Sequence, residues 1–250
     1  MKLRLISGEA ESSTYEEATP FWRQRRWQLS AAFLAITVCG GAASMIGGGG
    51  GSGAGTATSG PIIGDLDPDG SRPQQCRTDD SEQGIPATAP QDVTWWPLNG
   101  ASTPQSASAG PLRTIGPLRW CFAHTPMGAV MAANVIPRQM SGPDWRTVTH
   151  QQLVPGFSRD YYESMRESLL DTGSKPTTNA LAGFMVVDYS PARAIVRILV
   201  RQAAVAYVSV DYTVVWDGVD WKLRPQSTGG LYTEVKPVLS LTGYVLWKKS

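Results

Sequence analysis

Residues with reactive side chains are few. The chain of 250 residues holds three cysteines, Cys39, Cys76 and Cys121, and two histidines, His124 and His150. Cys76 and Cys121 are the pair with the clearest chemistry. In an oxidising compartment they can form one disulfide, closing a loop of about 45 residues, worth about 3–4 kcal/mol in the chain-entropy view. The alternative is two unpaired thiols. Cys39 sits in an apolar run and reads as a small hydrophobe. His124 precedes a helix start and could polarise a group in a pocket, although a lone histidine more often makes a structural hydrogen bond. His150 falls in a polar helical stretch and reads as exposed. No Asp or Glu adjoins either histidine, and no G-x-S-x-G, H-E-x-x-H or C-x-x-C pattern occurs. No catalytic, cofactor-binding or metal-ligating residue is therefore assigned, and no cofactor is expected. Arg193, Arg197 and Arg201 recur at a spacing that puts them on one strand face. Such a stripe is either a solvated face or a surface for an acidic partner subunit or lipid headgroups. With a net charge of +1, direct nucleic-acid binding is not expected.

The elements that would position these residues are legible from periodicity. Thr125 can cap a helix and Pro126 suits its first turn. Met127, Val130, Met131, Asn134 and Val135 then follow at helical spacing, and Pro137 should end or kink the helix. A short helix is expected over Asp144 to Leu153 and another from about Ser158 to Leu170. The period then changes to two. Leu181–Tyr189 is a mainly apolar strand. Arg193–Arg201 alternates Ala194, Val196, Ile198 and Val200 with the arginines, and Ala204–Trp216 alternates similarly. Asp217-Gly218 turns the chain into a fourth strand at Trp221-Lys222-Leu223, so that Trp216 and Trp221 can meet. Three helices followed by a four-strand antiparallel meander predict an α+β domain with helices on one sheet face.

Upstream the composition changes. Charged residues are 17% of the chain, and Gly and Pro number 26 and 18, whereas a compact domain carries about 25% charge. From Trp27 to Gly64 no residue is charged, and Trp27–Ile46 has the length of a membrane-spanning helix. Arg23, Arg25 and Arg26, with Trp27, flank it as the positive-inside rule and aromatic anchoring require, placing the N-terminus in the cytoplasm. A cleaved signal and a buried soluble helix are the alternatives. Residues 47–60 include eight glycines, and Pro-, Asp-, Gln- and Ser-rich sequence continues to about Asp92. The organisation expected is a cytoplasmic tail (1–26), a transmembrane helix (27–46), a disordered tether (47–92) and an exported domain (93–250).

The hairpin Trp216-Asp217-Gly218-Val219-Asp220-Trp221-Lys222-Leu223, after helices and a meander, resembles the nuclear transport factor 2-like (cystatin-like) superfold. A narrower resemblance rests on Val93-Thr94-Trp95, Pro104, Ala109-Gly110-Pro111, the run from Cys121 to Ala129 and Gly243-Tyr244-Val245-Leu246-Trp247. Over Cys76 to Trp247 these residues resemble an uncharacterised actinobacterial family of single-pass membrane proteins associated with integrative and conjugative elements. The layout is similar to scaffold subunits of type IV secretion and conjugation channels. The resemblance implies a non-enzymatic membrane-anchored assembly component, with its C-terminal domain outside the cell membrane. It implies other channel subunits as partners, and self-association. Mycobacterial lipid-transfer-associated membrane proteins share the layout, so a small-ligand or lipid-binding module is the alternative. A fold-related lyase or isomerase is a third reading, needing Asp or His inside the cone between sheet and helices. Alternation puts Asp211 on the face opposite Val210, Tyr212 and Val214, while Tyr161 and Tyr162 could line such a cone or simply pack its core.

Overall fold

A computed structural model describes residues 72–169, 179–202 and 206–248. The expected transmembrane helix over 27–46, its flanking Arg23, Arg25, Arg26 and Trp27, and the first part of the tether lie outside the described residues. No helix among the described residues is long and apolar enough to cross a membrane.

The fold differs from the expected helix-first α+β meander: the described residues are mostly sheet. Two hairpins precede the helices. The first pairs β1 (Thr94–Leu98) with β2 (Ala101–Gln105), and the second pairs β3 (Arg113–Ile115) with β4 (Leu118–Trp120). Helices α1 (Pro126–Gln139), α2 (Trp145–Gln152) and α3 (Phe157–Glu167) follow. Next come the long strands β5 (Ala180–Ser190), β6 (Arg193–Gln202) and β7 (Ala206–Trp216), then β8 (Trp221–Arg224), β9 (Lys236–Val238) and β10 (Val245–Leu246). The main sheet has six antiparallel strands in the order β10-β5-β6-β7-β8, not four. Strand β7 is long enough for two partners on one edge: β8 pairs with Thr213–Trp216 and β9 with Tyr207–Ser209. The nuclear transport factor 2-like expectation of helices followed by a four-strand meander is corrected on these points. The missing strands are short and end in residues without strand periodicity, so no alternation announced them.

Helix α1 organises the core. Thr125 caps it, its Oγ1 accepting the Gly128 N–H at 3.1 Å. Almost every residue from Pro126 to Gln139 is buried, and a helix buried all round must be enclosed rather than laid on a surface. Small residues make the enclosure close. A side chain at Gly128 would place its Cβ 1.8 Å from the Ala123 carbonyl oxygen. Ala194, Val196 and Ile198 of β6, Val210, Tyr212 and Val214 of β7, and Leu223 of β8 supply the core from the sheet. Bulges in β5 at Leu181/Gly183 and Val186/Asp188 interrupt its pairing with β6. Pro137 does not end the helix, which runs on to Gln139 before Met140 donates to the Ile136 carbonyl at 3.2 Å. Proline lacks only one N–H, and the chain needs just one more turn.

Residues 72–92, read from composition as tether, are packed on the domain. Cys76 is fully buried and Ala89 nearly so. Polar side chains make the attachment: Asp80 accepts the His124 N–H at 2.7 Å, and Gln83 donates to the His124 carbonyl at 2.9 Å while accepting from the Tyr189 hydroxyl at 2.8 Å.

Candidate functional site

The structure joins Cys76 to Cys121 as a disulfide, with Cα atoms 5.2 Å apart. The bond lies at the centre of a clasp. Arg72 donates to the Phe122 carbonyl at 2.9 Å and to Thr78 Oγ1 at 2.8 Å, and its guanidinium lies 4.9 Å from the centre of the Trp216 ring. Asp220, 1% exposed, is the clasp's acid. Its carboxylate accepts the backbone N–H groups of Cys121 (2.6 Å), Phe122 (3.0 Å) and Trp221 (2.9 Å), and stands 3.8 Å from Arg72. Burial pushes its pKa up to about 6, against the pull of Arg72 and the three N–H donors. Burial likewise lowers the Arg72 guanidinium.

A carboxyl poised near 6 can act as an acid or base when it reaches a ligand. Here both oxygens are committed to backbone donors, so Asp220 holds the hairpin turn to the start of α1. His124 is part of the same clasp. Its ring stacks on Trp216 at 3.9 Å, and its Nε2 is 2.6 Å from the Pro191 carbonyl oxygen. Trp216 and Trp221 pair across the hairpin with ring centres 5.5 Å apart. His150 is exposed, with Nε2 3.2 Å from Glu163.

The arginine stripe lies on the sheet face away from α1, but it is not uniformly positive. Arg193 pairs with Asp188 at 2.6 Å. Arg197 faces its register partner Asp211 and donates to both carboxylate oxygens, at 2.7 and 2.9 Å. Those bonds hold its guanidinium above the usual value. Arg201 is set apart, on a cleft of about 370 Å³ that Trp95, Leu181, Tyr207, Trp247 and Lys248 also line. Two of the three charges are thus spent inside the sheet.

A surface that the sequence reading did not single out lies on α3. Phe157, Tyr161 and Met165 follow one another at intervals of four residues along α3, and Leu169 keeps the spacing two residues past the helix end. All four are exposed, at 76%, 44%, 37% and 44%. The charges of α3 are engaged beside this line: Glu167 with Arg146 at 2.7 Å, Glu163 with His150, and Asp160 with Arg159 at 3.0 Å. Tyr162 and Arg166 face inward, where Trp145 meets the Tyr162 ring edge-on at 6.4 Å and carries the Arg166 guanidinium at 5.2 Å. The signal available in sequence was the i, i+4, i+8, i+12 spacing itself. It is normally a core-facing stripe. Here the other face of the helix packs inward.

Met165 and Leu169 continue from this line into a cavity of about 490 Å³, bounded also by the end of α1 and the 228–235 segment. Tyr162 lines it; Tyr161 does not, its ring stacking on Phe157 at 5.9 Å. Among the described residues no group of His, Cys, Asp and Glu is placed to hold a metal ion. A family model described as "Domain of unknown function (DUF8175)" matches residues 57–246. No curated protein and no solved structure matches the chain.

Proposed function

The chain belongs to the DUF8175 family, and we propose that its described domain is an extracytoplasmic, non-catalytic binding module that docks onto another protein through the apolar face of α3. The observation that carries this reading is the line Phe157, Tyr161, Met165 and Leu169, exposed while the charges beside it are satisfied within the domain. Aromatic residues and Met are the types that dominate binding energy at protein interfaces. A helix face with anchors at i, i+4 and i+8 fits an apolar groove or a second helix. The Cys76–Cys121 disulfide supports the compartment, since such bonds persist outside the cytoplasm. The interior supports binding rather than turnover: α1 is buried against β6, β7 and β8, and Asp220 is locked by backbone donors. Subunits of a conjugative transfer apparatus at the cell membrane, implied by the sequence resemblance, are proteins of that compartment and are the partners proposed.

Site-specific photo-crosslinking tests this in cells. A photoreactive side chain at 157 or 161 should give a discrete adduct with one extracytoplasmic protein, and one at Ile115 should not. Introducing Phe157→Asp beside a crosslinker at 161 should remove that adduct. Adducts of equal yield from 115 and 161, or none from 157 and 161, would overturn the proposal.

A further inference from the structure

Arg201 is the member of the arginine stripe that the sheet leaves without a counter-charge. Arg193 holds Asp188 and Arg197 holds Asp211, whereas among the described residues no ion pair or hydrogen bond engages the Arg201 side chain. The register explains the difference. Arg197 stands opposite Asp211 of β7, but Arg201 stands opposite Tyr207, and on its other side β5 presents Ala180. A phenol can share a hydrogen bond but carries no neutralising charge. Arg201 is half-buried, so its charge is partly withdrawn from water without compensation.

The cleft beside it, of about 370 Å³, falls within the roughly 300–1,000 Å³ of ligand pockets. A second cation, Lys248, lines it, and its Nζ donates at 2.8 Å to the neutral amide oxygen of Gln91. Among the described residues no Asp or Glu lines the cleft, so the field inside it has one sign. The rest of the wall is largely apolar and aromatic. Trp95 and Trp247 meet edge to face with ring centres 5.8 Å apart, beside Leu181 and Leu246. The wall is held in place by the Trp247 N–H, which donates to the Ala182 carbonyl at 3.0 Å. Trp247 is 7% exposed, and its Nε1 has no hydrogen-bond partner among the described residues.

We propose that this cleft binds a carboxylate borne on an aromatic or branched apolar group. The planar fork of Arg201 takes the carboxylate oxygens, and the Tyr207 hydroxyl donates to one of them. The apolar body lies against Trp95, Trp247 and Leu181, where an aromatic ring gains from edge or offset contact. A ligand of the same shape without charge would leave Arg201 as unpaired as it is now. A free organic acid and the C-terminal residue of a peptide share this chemistry. The site does not rest on the docking reading, because Phe157, Tyr161, Met165 and Leu169 are not part of its wall.

The test is titration of the purified disulfide-bonded protein with hydrocinnamate, with N-acetylglycyl-phenylalanine, and with the amide of each, read by calorimetry and by the tryptophan indole N–H resonances. Each acid should saturate one site per chain. Each amide, with the same body and no charge, should bind at least tenfold more weakly. Arg201→Gln should weaken both acids at least tenfold, and so should Ser102→Trp, which fills the cleft from an exposed position on its wall. Arg193→Gln, outside the cleft, should leave the affinities unchanged. Circular dichroism shows that each variant is folded. Tighter binding of the peptide supports a peptide C-terminus as the source, and tighter binding of hydrocinnamate supports a free organic acid. Absence of saturable binding by either acid, equal affinity for the amides, or full binding by folded Arg201→Gln would overturn the site. Phe157→Asp should remove the partner adduct and spare acid binding, so failure of the docking reading and failure of this one are distinguishable.

Discussion

Asp220 makes the stability of the domain depend on pH in an unusual direction for a carboxylate. Most native carboxylates are held below their unfolded pKa and stabilise the fold as pH rises. Asp220 is pushed from 3.8 up to about 6, burial outweighing Arg72 and the N–H groups of Cys121, Phe122 and Trp221. The folded state therefore holds the proton more tightly than the unfolded chain. The resulting stabilisation is fully present below pH 3.8 and is lost as pH rises through 6. A shift of about two pH units corresponds to about 3 kcal/mol across the whole range. Between pH 8 and pH 5 the linkage integral gives about 1.4 kcal/mol. For a domain of this size that is a melting temperature about 3–6 °C higher at pH 5 than at pH 8. Asp220→Asn removes the titration. It also turns an amide N–H toward one of the backbone donors, lowering stability at both pH values by about 1–3 kcal/mol. Every other ionisable group is common to the two proteins, so the comparison isolates Asp220. The assay is thermal unfolding, followed by circular dichroism, of wild type and Asp220→Asn at pH 5 and pH 8 in matched salt. The wild type minus variant difference should be larger at pH 5. A difference that is constant or grows toward pH 8 would refute the reasoning.

Three further outcomes follow from the same packing. Cys121→Ser opens the Cys76–Cys121 loop, whose sequence separation is 45 residues. The chain-entropy view puts the loss at about 4 kcal/mol, read as a lower denaturation midpoint that added reductant no longer shifts. Gly128→Ala sets a Cβ 1.8 Å from the Ala123 carbonyl oxygen, backbone against backbone; the domain should lose more than about 4 kcal/mol and fail to accumulate as folded protein. Arg138→Met keeps the aliphatic stem of the side chain and removes a buried guanidinium whose Nη1 has no hydrogen-bond partner among the described residues; it should raise stability by about 1–3 kcal/mol in urea unfolding.

Local patterns carried the helix start and the long strands into the sequence reading. Thr125-Pro126 marked the start of α1, the alternation in Arg193–Arg201 marked β6, and Asp217-Gly218 marked the turn that brings Trp216 to Trp221. The first hairpin was missed despite its signal. Asn99-Gly100, with φ of 47° and 76°, is a turn suited to two-residue hairpins. Pro97 and Pro104 on its strands lack an N–H, but the pair stands apart from the main sheet, where a missing donor is tolerated. Residues 72–92 were misread because composition reports how much apolar surface a segment can bury. This one is held by a disulfide and by Asp80 and Gln83 bonding to backbone, which needs little apolar area. The Arg193–Arg197–Arg201 stripe was legible as a pattern but not as a charge. Only the register that sets Arg197 opposite Asp211 shows that much of it is neutralised. The cavity was out of reach because its walls come from α1, α3 and the 228–235 segment, brought together by the tertiary fold alone.

The two ends of α1 divide the labour of the domain. At its start the chain enters through Arg72, and the disulfide, Asp220 and the Trp216–Trp221 hairpin fasten that entry to Phe122 and Ala123. At its end Pro137, Met140 and Ser141 form one wall of the cavity that opens beside α3. Fourteen residues of helix separate them by about 21 Å. That helix is enclosed on all sides, so it behaves as a rigid strut rather than a hinge. If the docking proposal holds, attachment and recognition are separated in space but joined by a helix that is buried almost throughout. In the docking proposal, a pull on the chain before Arg72 meets a covalent bond and a buried carboxylate before it reaches α3. A domain required to hold a partner at a fixed position gains from this arrangement, because its contact surface keeps its shape whatever happens at the point of attachment.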